Sequence, residues 1–336
     1  MKKLIAAVLV LVVAAGLVFA NGASEQAAAP AASKLKVALI LPGKSDDVSF
    51  NQAMFRGMNE YAAKHSDEIE LKVVEGVYDV ADIEPALIEY ADAKYDVVIG
   101  HGFQFSDPVY KVSGMYEKVA FLLGCGMYDR KNMTRYDVQL EAGGYLMGVI
   151  AALATQTDKI GVIGGGMGSE ITRGHEGFKA GAKSINPNVE IQEVYTGDWN
   201  DTAGAYEAAI GMYDSGVDVI WHSGDGIGLG VVNAALARDK YVLGNVEDQL
   251  TLAPKNVLSG LQYEWANALE SIFGTIKDGS FFSDSKEVCV MINVANGGLS
   301  MTSINDPKGY LTDADKAVIS DVYAKLGKDE IALPEV

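Results

Sequence analysis

Leu35-Lys36-Val37-Ala38-Leu39-Ile40-Leu41 runs into a polar turn, Pro42 to Ser49, and then into the amphipathic segment Phe50 to His65. A short, nearly unbroken run of Val, Ile and Leu followed by a turn and a helical period reads as one parallel α/β unit. A strand buried on both faces of a sheet has no solvent side toward which to alternate. The unit recurs. Strands are expected at 35–41, 69–74, 97–100, 120–123, 160–163, 190–195, 217–221 and 241–244. Helices are expected between them at 50–65, 83–93, 108–117, 142–155, 171–185, 202–215, 227–238 and 265–277. Ser49, Ser169 and Asp201 stand where a side-chain oxygen can cap a helix N-terminus.

About four units precede Cys125 and four follow Lys159, too many strands for one sheet in a domain of ordinary size. The chain is therefore expected to be α/β with two similar parallel-sheet lobes. Extended segments at 134–140, 257–263 and 288–295 are where it would cross between them, a three-segment hinge that bends without letting the lobes part. The N-terminal lobe is assigned residues 34–136 plus 262–293, and the C-terminal lobe 137–261 plus 294–336. Ligands of open parallel sheets lie beyond the carboxyl ends of the strands, so two facing sheets would share one cleft.

The chain has 336 residues, 49% hydrophobic and 21% charged, the composition of a folded protein. Its 45 Asp and Glu against 27 Lys and Arg give a formal charge of −18, which argues against a nucleic-acid partner. Two cysteines, Cys125 and Cys289, and four scattered histidines form neither a disulfide framework nor a zinc signature. No cofactor is expected, and the cysteines read as buried free thiols. Lys2-Lys3, the uncharged run Leu4 to Val18 and Val18-Phe19-Ala20 read as a secretory signal peptide over 1–20, cleaved after Ala20. Asn21 rather than Cys follows, so the product is not a lipoprotein. Residues 21–33, rich in Ala, read as a flexible leader.

The expected strand-end loops hold Asp47, Phe50 and Asn51, then His101, Phe103, Phe105 and Asp107. In the second half they hold Trp199, Asn200, Asp201, His222, Asp225, Asp248, Tyr263 and Trp265. Aromatic faces alternating with amide and carboxylate acceptors suit a flat ligand with polar edges.

The ordered motifs Asp47-Val48-Ser49-Phe50-Asn51, Gly100-His101-Gly102-Phe103 with Ser106-Asp107, and Glu141-Ala142-Gly143-Gly144-Tyr145-Leu146 resemble the basic membrane protein family, typified by PnrA-like purine nucleoside receptors. The likeness continues through Gly177-Phe178-Lys179-Ala180-Gly181, Asn186-Pro187, Trp199-Asn200-Asp201 and Gly226-Ile227-Gly228-Leu229-Gly230, from about Lys36 to Gly279. It implies a type I periplasmic binding protein fold, two Rossmann-like lobes serving an ABC importer. The product would be a periplasmic, monomeric solute-binding protein that hands a purine to a membrane permease. In that family the base lies between the aromatic of Ser-Phe-Asn, here Phe50, and one from the second lobe, here Trp199. Asp107 would take the polar edge of the base, with Asn51 nearby.

The sugar side departs from the pattern. The acid that grips ribose in nucleoside-binding members aligns with Val246, and a Lys of the second hinge strand aligns with Tyr263, with Trp265 two residues on. Losing two charged partners costs a ribose its bidentate hold. His222 and Asp225 are the available substitutes, and the departure resembles members that bind a free nucleobase. A sugar binder of the same fold, a nucleoside-acting enzyme and an adhesin are the alternatives.

Gly164-Gly165-Gly166-Met167-Gly168-Ser169 lacks the Gly-Lys-Ser/Thr ending of a phosphate loop and reads as a tight βα turn using glycine's access to left-handed backbone. No nucleophile elbow or His-Glu-x-x-His pattern appears. Arg130-Lys131 with Arg135 reads as a solvated loop.

Overall fold

The computed structural model describes residues 33–335. The signal-peptide reading of 1–20, and all of the leader but Ser33, lie outside the described residues.

The alternation of strand and helix folds as two six-stranded sheets. The first half runs β1 (Leu35–Ile40), α1 (Phe50–Lys64), β2 (Ile69–Val74), α2 (Val80–Asp92), β3 (Val97–His101), α3 (Ser106–Ser113), β4 (Ala120–Gly124) and β5 (Met133–Val138). The second runs α4 (Leu140–Ala154), β6 (Lys159–Gly164), α5 (Ser169–Ile185), β7 (Glu190–Tyr195), α6 (Thr202–Asp214), β8 (Val219–Ser223), α7 (Ile227–Arg238), β9 (Tyr241–Gly244) and β10 (Val257–Tyr263). The chain then returns through α8 (Ala266–Asp278) and β11 (Cys289–Ile292), crosses again to β12 (Leu299–Met301) and ends on α9 (Asp313–Leu326). Sheet orders are β11-β5-β4-β3-β1-β2 and β12-β10-β9-β8-β6-β7, so the backbone passes between sheets after β5, β10 and β11. Every pairing is parallel except the edge pair β10–β12. The central strands β3, β4, β8 and β9 are buried at every residue, as their continuous apolar runs require.

Local details depart from expectation. The Ser49 hydroxyl does not cap α1; it donates to Gly224 O, 3.3 Å away in the other lobe. Asp47 serves that helix start instead, accepting from the Ser49, Asn51 and Gln52 N–H groups at 2.9, 3.2 and 3.0 Å. Ser169 is the first residue of α5 rather than its cap, whereas Asp201 does cap α6, accepting from Gly204 N at 2.8 Å. Helix α9 lies beyond the expected elements, although Thr312 and Asp315 form a capping box that announces it.

Helices α4 and α5 meet backbone to backbone. A Cβ at Gly144, Gly148, Gly177 or Gly181 would fall on the carbonyl oxygen of Gly174, Phe178, Glu141 or Tyr145 respectively. This contact holds α5 against α4, and the first turn of α5 borders the cleft.

Candidate functional site

Phe50, at the start of α1, and Trp199, in the loop before α6, line one cleft between the lobes together with Phe103. The cleft holds about 440 Å³ of empty space including its open mouth.

Each ring is held from behind. His101, fully buried, stacks on Phe50 with centroids 3.8 Å apart and planes 11° apart. Its Nε2–H donates to Phe50 O (3.1 Å), which leaves Nδ1 to accept from the Tyr136 hydroxyl at 2.7 Å. Burial lowers the His101 pKa to about 3, so the imidazole stays neutral. Trp265 meets Phe50 edge-on at 6.5 Å. The Trp199 indole lies on the loop after β6: a Cβ at Gly165 or Gly166 would come within 2.8 or 2.6 Å of it. A Cβ at Gly168 would touch both Trp199 and Phe103, at 3.3 and 3.6 Å. None of these three glycines has positive φ. They are required because an indole covers them, which corrects the left-handed-turn reading of this loop.

Polar groups come from the strand and helix ends. Asp225, after β8, borders the cleft, and burial, with Asp47 and Glu170 nearby, pushes its carboxyl well above the usual range. Glu170, in the first turn of α5, is pushed up to about 7 by burial and by the charge of Asp137. The Tyr263 hydroxyl donates to Glu170 at 3.4 Å. Asn245, 1% exposed, leaves its Oδ1 without a donor. Cys125 completes this wall, and burial raises its thiol well above the ordinary value. Both cysteines are free thiols; Cys125 is buried and Cys289 half-buried. Three non-glycine residues around the cleft have left-handed backbone: Val48 (φ 53°), Cys125 (φ 51°) and Val246 (φ 72°). Such conformations, rarest for β-branched residues, cost about 1–3 kcal/mol each and concentrate at binding sites.

Among the residues expected from sequence, the structure brings Phe50, Phe103, Trp199 and Asp225 to the cleft lining. Asp47, Asn51 and His101 stand one layer back. Asp47 holds the Asn51 amide at 2.7 Å, and Asn51 in turn accepts from Gly43 N at 3.0 Å. Tyr263 and Trp265 are fully buried behind the wall, and His222 lies under α7, bonded to Gln249 at 2.8 Å. Asp107, Asn200 and Asp248 are exposed and outside the lining. Asp107 lies beside Tyr128, Asn200 accepts from Gly226 N at 3.3 Å, and Asp248 accepts from Leu250 N at 2.9 Å. Glu170 and Asn245 were not expected. Their signal was positional: Glu170 follows the glycine loop, and Asn245 directly follows the buried strand β9.

The lobes are latched across the cleft. The Tyr78 hydroxyl donates to Asp198 at 2.6 Å, Gln249 Nε2 to Val48 O at 3.2 Å, and Arg56 pairs with Glu247 at 3.1 Å. The basic cluster is not simply solvated: the Arg130 guanidinium stacks over the Tyr110 ring at 4.2 Å.

A family model described as ABC transporter substrate-binding protein, PnrA-like, matches residues 34–335. Basic membrane protein A2 of Borrelia garinii subsp. bavariensis is 27% identical over 305 residues, 89% of this chain and 88% of that one. A purine-binding protein of Brucella abortus is 28% identical over 258 residues, 77% of this chain and 73% of its own. The CD4+ T-cell-stimulating antigen of Listeria monocytogenes is 33% identical over 220 residues, 62% of this chain; the match spans 61% of the antigen's length. Among solved structures, an ABC transporter solute-binding protein from Conexibacter woesei is similar with a TM-score of 0.69 and 26% identity, covering 89% of this chain and 98% of that one. One from Aeropyrum pernix gives a TM-score of 0.76 at 20% identity, covering 90% and 94%. With two parallel-sheet lobes around one cleft and a family match across nearly all the described residues, the chain belongs to the PnrA-like ABC transporter substrate-binding proteins, of the type I periplasmic fold.

Proposed function

We propose that this protein captures a purine base in the periplasm and delivers it to an ABC transporter permease. The observation that carries the reading is a pair of braced aromatic faces, Phe50 and Trp199, belonging to opposite lobes and lining one cleft. A planar ring inserted between them gains stacking with both lobes at once, so it binds the closed form better than the open one. That differential affinity drives closure. The purine-binding Brucella relative supports the ligand class.

The contacts assigned to the ligand are Phe50, Phe103 and Trp199 for the ring and Asp225, Glu170 and Asn245 for its edges. Val246 offers a ribose no hydrogen bond, and the Tyr263 hydroxyl is committed to Glu170, so the free base is the preferred ligand. The chain acts as a monomer, exported by a signal cleaved after Ala20, and returns its ligand chemically unchanged.

Calorimetry with adenine and adenosine side by side tests this reading. Adenine is expected to bind more tightly, and Phe50→Ala to weaken it by tenfold or more, about 1.4 kcal/mol. Equal or tighter adenosine binding overturns the nucleobase preference. Melting shifts with ribose or galactose and none with purines would move the protein to the sugar binders.

A further inference from the structure

The polar wall of the cleft is acidic, and no cation shares it. Glu170 and Asp225 line the cleft, and among the described residues no Lys, Arg or His lines it with them. Arg173, one helical turn beyond Glu170, is committed elsewhere. Its Nη2 donates to Asp137 at 3.1 Å and to Val138 O at 3.0 Å, and its Nε donates to Glu141 at 3.0 Å. Glu170 receives a long hydrogen bond from Tyr263 at 3.4 Å and has the Cys125 thiol beside it as a second, weak donor. Asp225 is perturbed only by burial and by other acids, with no hydrogen bond among the described residues to hold its charge. Beside them the buried Asn245 Oδ1 is unpartnered. Three acceptors thus converge on one cavity whose protein walls offer them only the Tyr263 hydroxyl and the Cys125 thiol, both at Glu170.

Resting on the purine reading above, we infer that Glu170 and Asp225 are specificity-determining residues that admit rings carrying N–H donors and reject anionic ones. The ligand is then an aminopurine such as adenine, rather than an oxidised anionic purine or a nucleotide. An amine and ring N–H satisfy the buried, unpartnered Asn245 Oδ1 and the half-buried carboxylates beside it. An oxo group in the amine's place points a lone pair at a carboxylate. A negatively charged ligand meets like charges in a site that water cannot screen well. Burial lifts both carboxyls, Glu170 to about 7, so the selection is read above that pH, where Glu170 is ionised and can only accept.

The test is calorimetry at about pH 8 on protein stripped of captured ligand, with adenine, hypoxanthine, urate and adenosine monophosphate. Adenine is expected to bind at least about tenfold more tightly than hypoxanthine, with no measurable binding of urate or the nucleotide. Glu170→Gln and Asp225→Asn should each narrow the adenine-to-hypoxanthine ratio. Urate or nucleotide binding as tight as that of adenine, or unchanged discrimination in both variants, overturns the proposal.

Benzamidine and benzoate, matched in shape and opposite in charge, test it on the unmutated protein. Benzamidine should raise the melting temperature and benzoate should not; the reverse overturns the proposal. If no purine binds while benzamidine still outperforms benzoate, the purine reading fails and the acidic selection stands. If purines bind without regard to charge, the acidic selection fails and the purine reading stands.

Discussion

Phe50 and Trp199 are braced by different means, one by a neutral histidine stacked face to face, the other by glycines bare enough for an indole to rest on. Both devices fix a ring's orientation before a ligand arrives, which lowers the ordering cost of binding. The neighbouring acids make a separate prediction in the ligand-free protein. Burial lifts Glu170 to about 7 in the folded protein from the ordinary glutamate value of 4.5 in the unfolded chain, so between those values the folded state holds the extra proton. Stability from this group therefore falls as pH rises from about 4.5 to 7. Asp137, Arg173, Cys125, Tyr263 and Asp225 all bear on it. Buried His101, His175 and His222, all lowered by burial, run the opposite way, destabilising as pH falls below about 6.5. The observable is therefore a difference. The melting temperature of Glu170→Gln relative to the unmutated protein should climb across pH 4.5 to 7; a constant offset would refute the assigned burial effect.

At the scale of elements, α5 carries Glu170 and Ile171 to the cleft because four glycines let it lie directly on α4. Gly181→Ala would drive a methyl into Tyr145 O and force the helices apart, so a destabilisation of about 2–4 kcal/mol is expected from chemical denaturation. Gly211→Ala is the contrast. It lies inside α6 with ordinary φ and open space around its Cβ, so the same substitution should stabilise by about 0.5–1 kcal/mol. Similar losses at both sites would show that backbone flexibility, not the close approach, governs Gly181. The strands and most helices were legible because the period of their apolar residues is set locally. Gly144, Gly177 and Gly181 stand in the sequence as letters of the family motifs, and Gly148 lies outside them. Their reason is a contact between helices that no periodicity displays.

Across the whole molecule, ligand binding and lobe closure share the contacts that cross the cleft. Tyr78→Phe deletes one of them, the 2.6 Å bond to Asp198, at an exposed rim where little packing is lost. Adenine affinity should fall about two- to tenfold through faster release, with the denaturation midpoint of the ligand-free protein nearly unchanged. An unaltered off-rate in stopped-flow release would exclude Tyr78 as a latch.

What the amino-acid order determined by itself was the repeating α/β unit, its duplication into two lobes and the aromatic character of the strand-end loops, because each follows from short-range pattern and turn chemistry. Tertiary structure alone decided which of those loop residues face the cavity. Asp107, Asn200 and Asp248 turn to solvent and His101 turns inward behind Phe50, while Glu170 and Asn245, unremarkable in sequence, converge on the cleft. The direction of a side chain at a loop is set by what packs against it from distant parts of the chain. Here that means a second lobe, a glycine floor and a helix crossing.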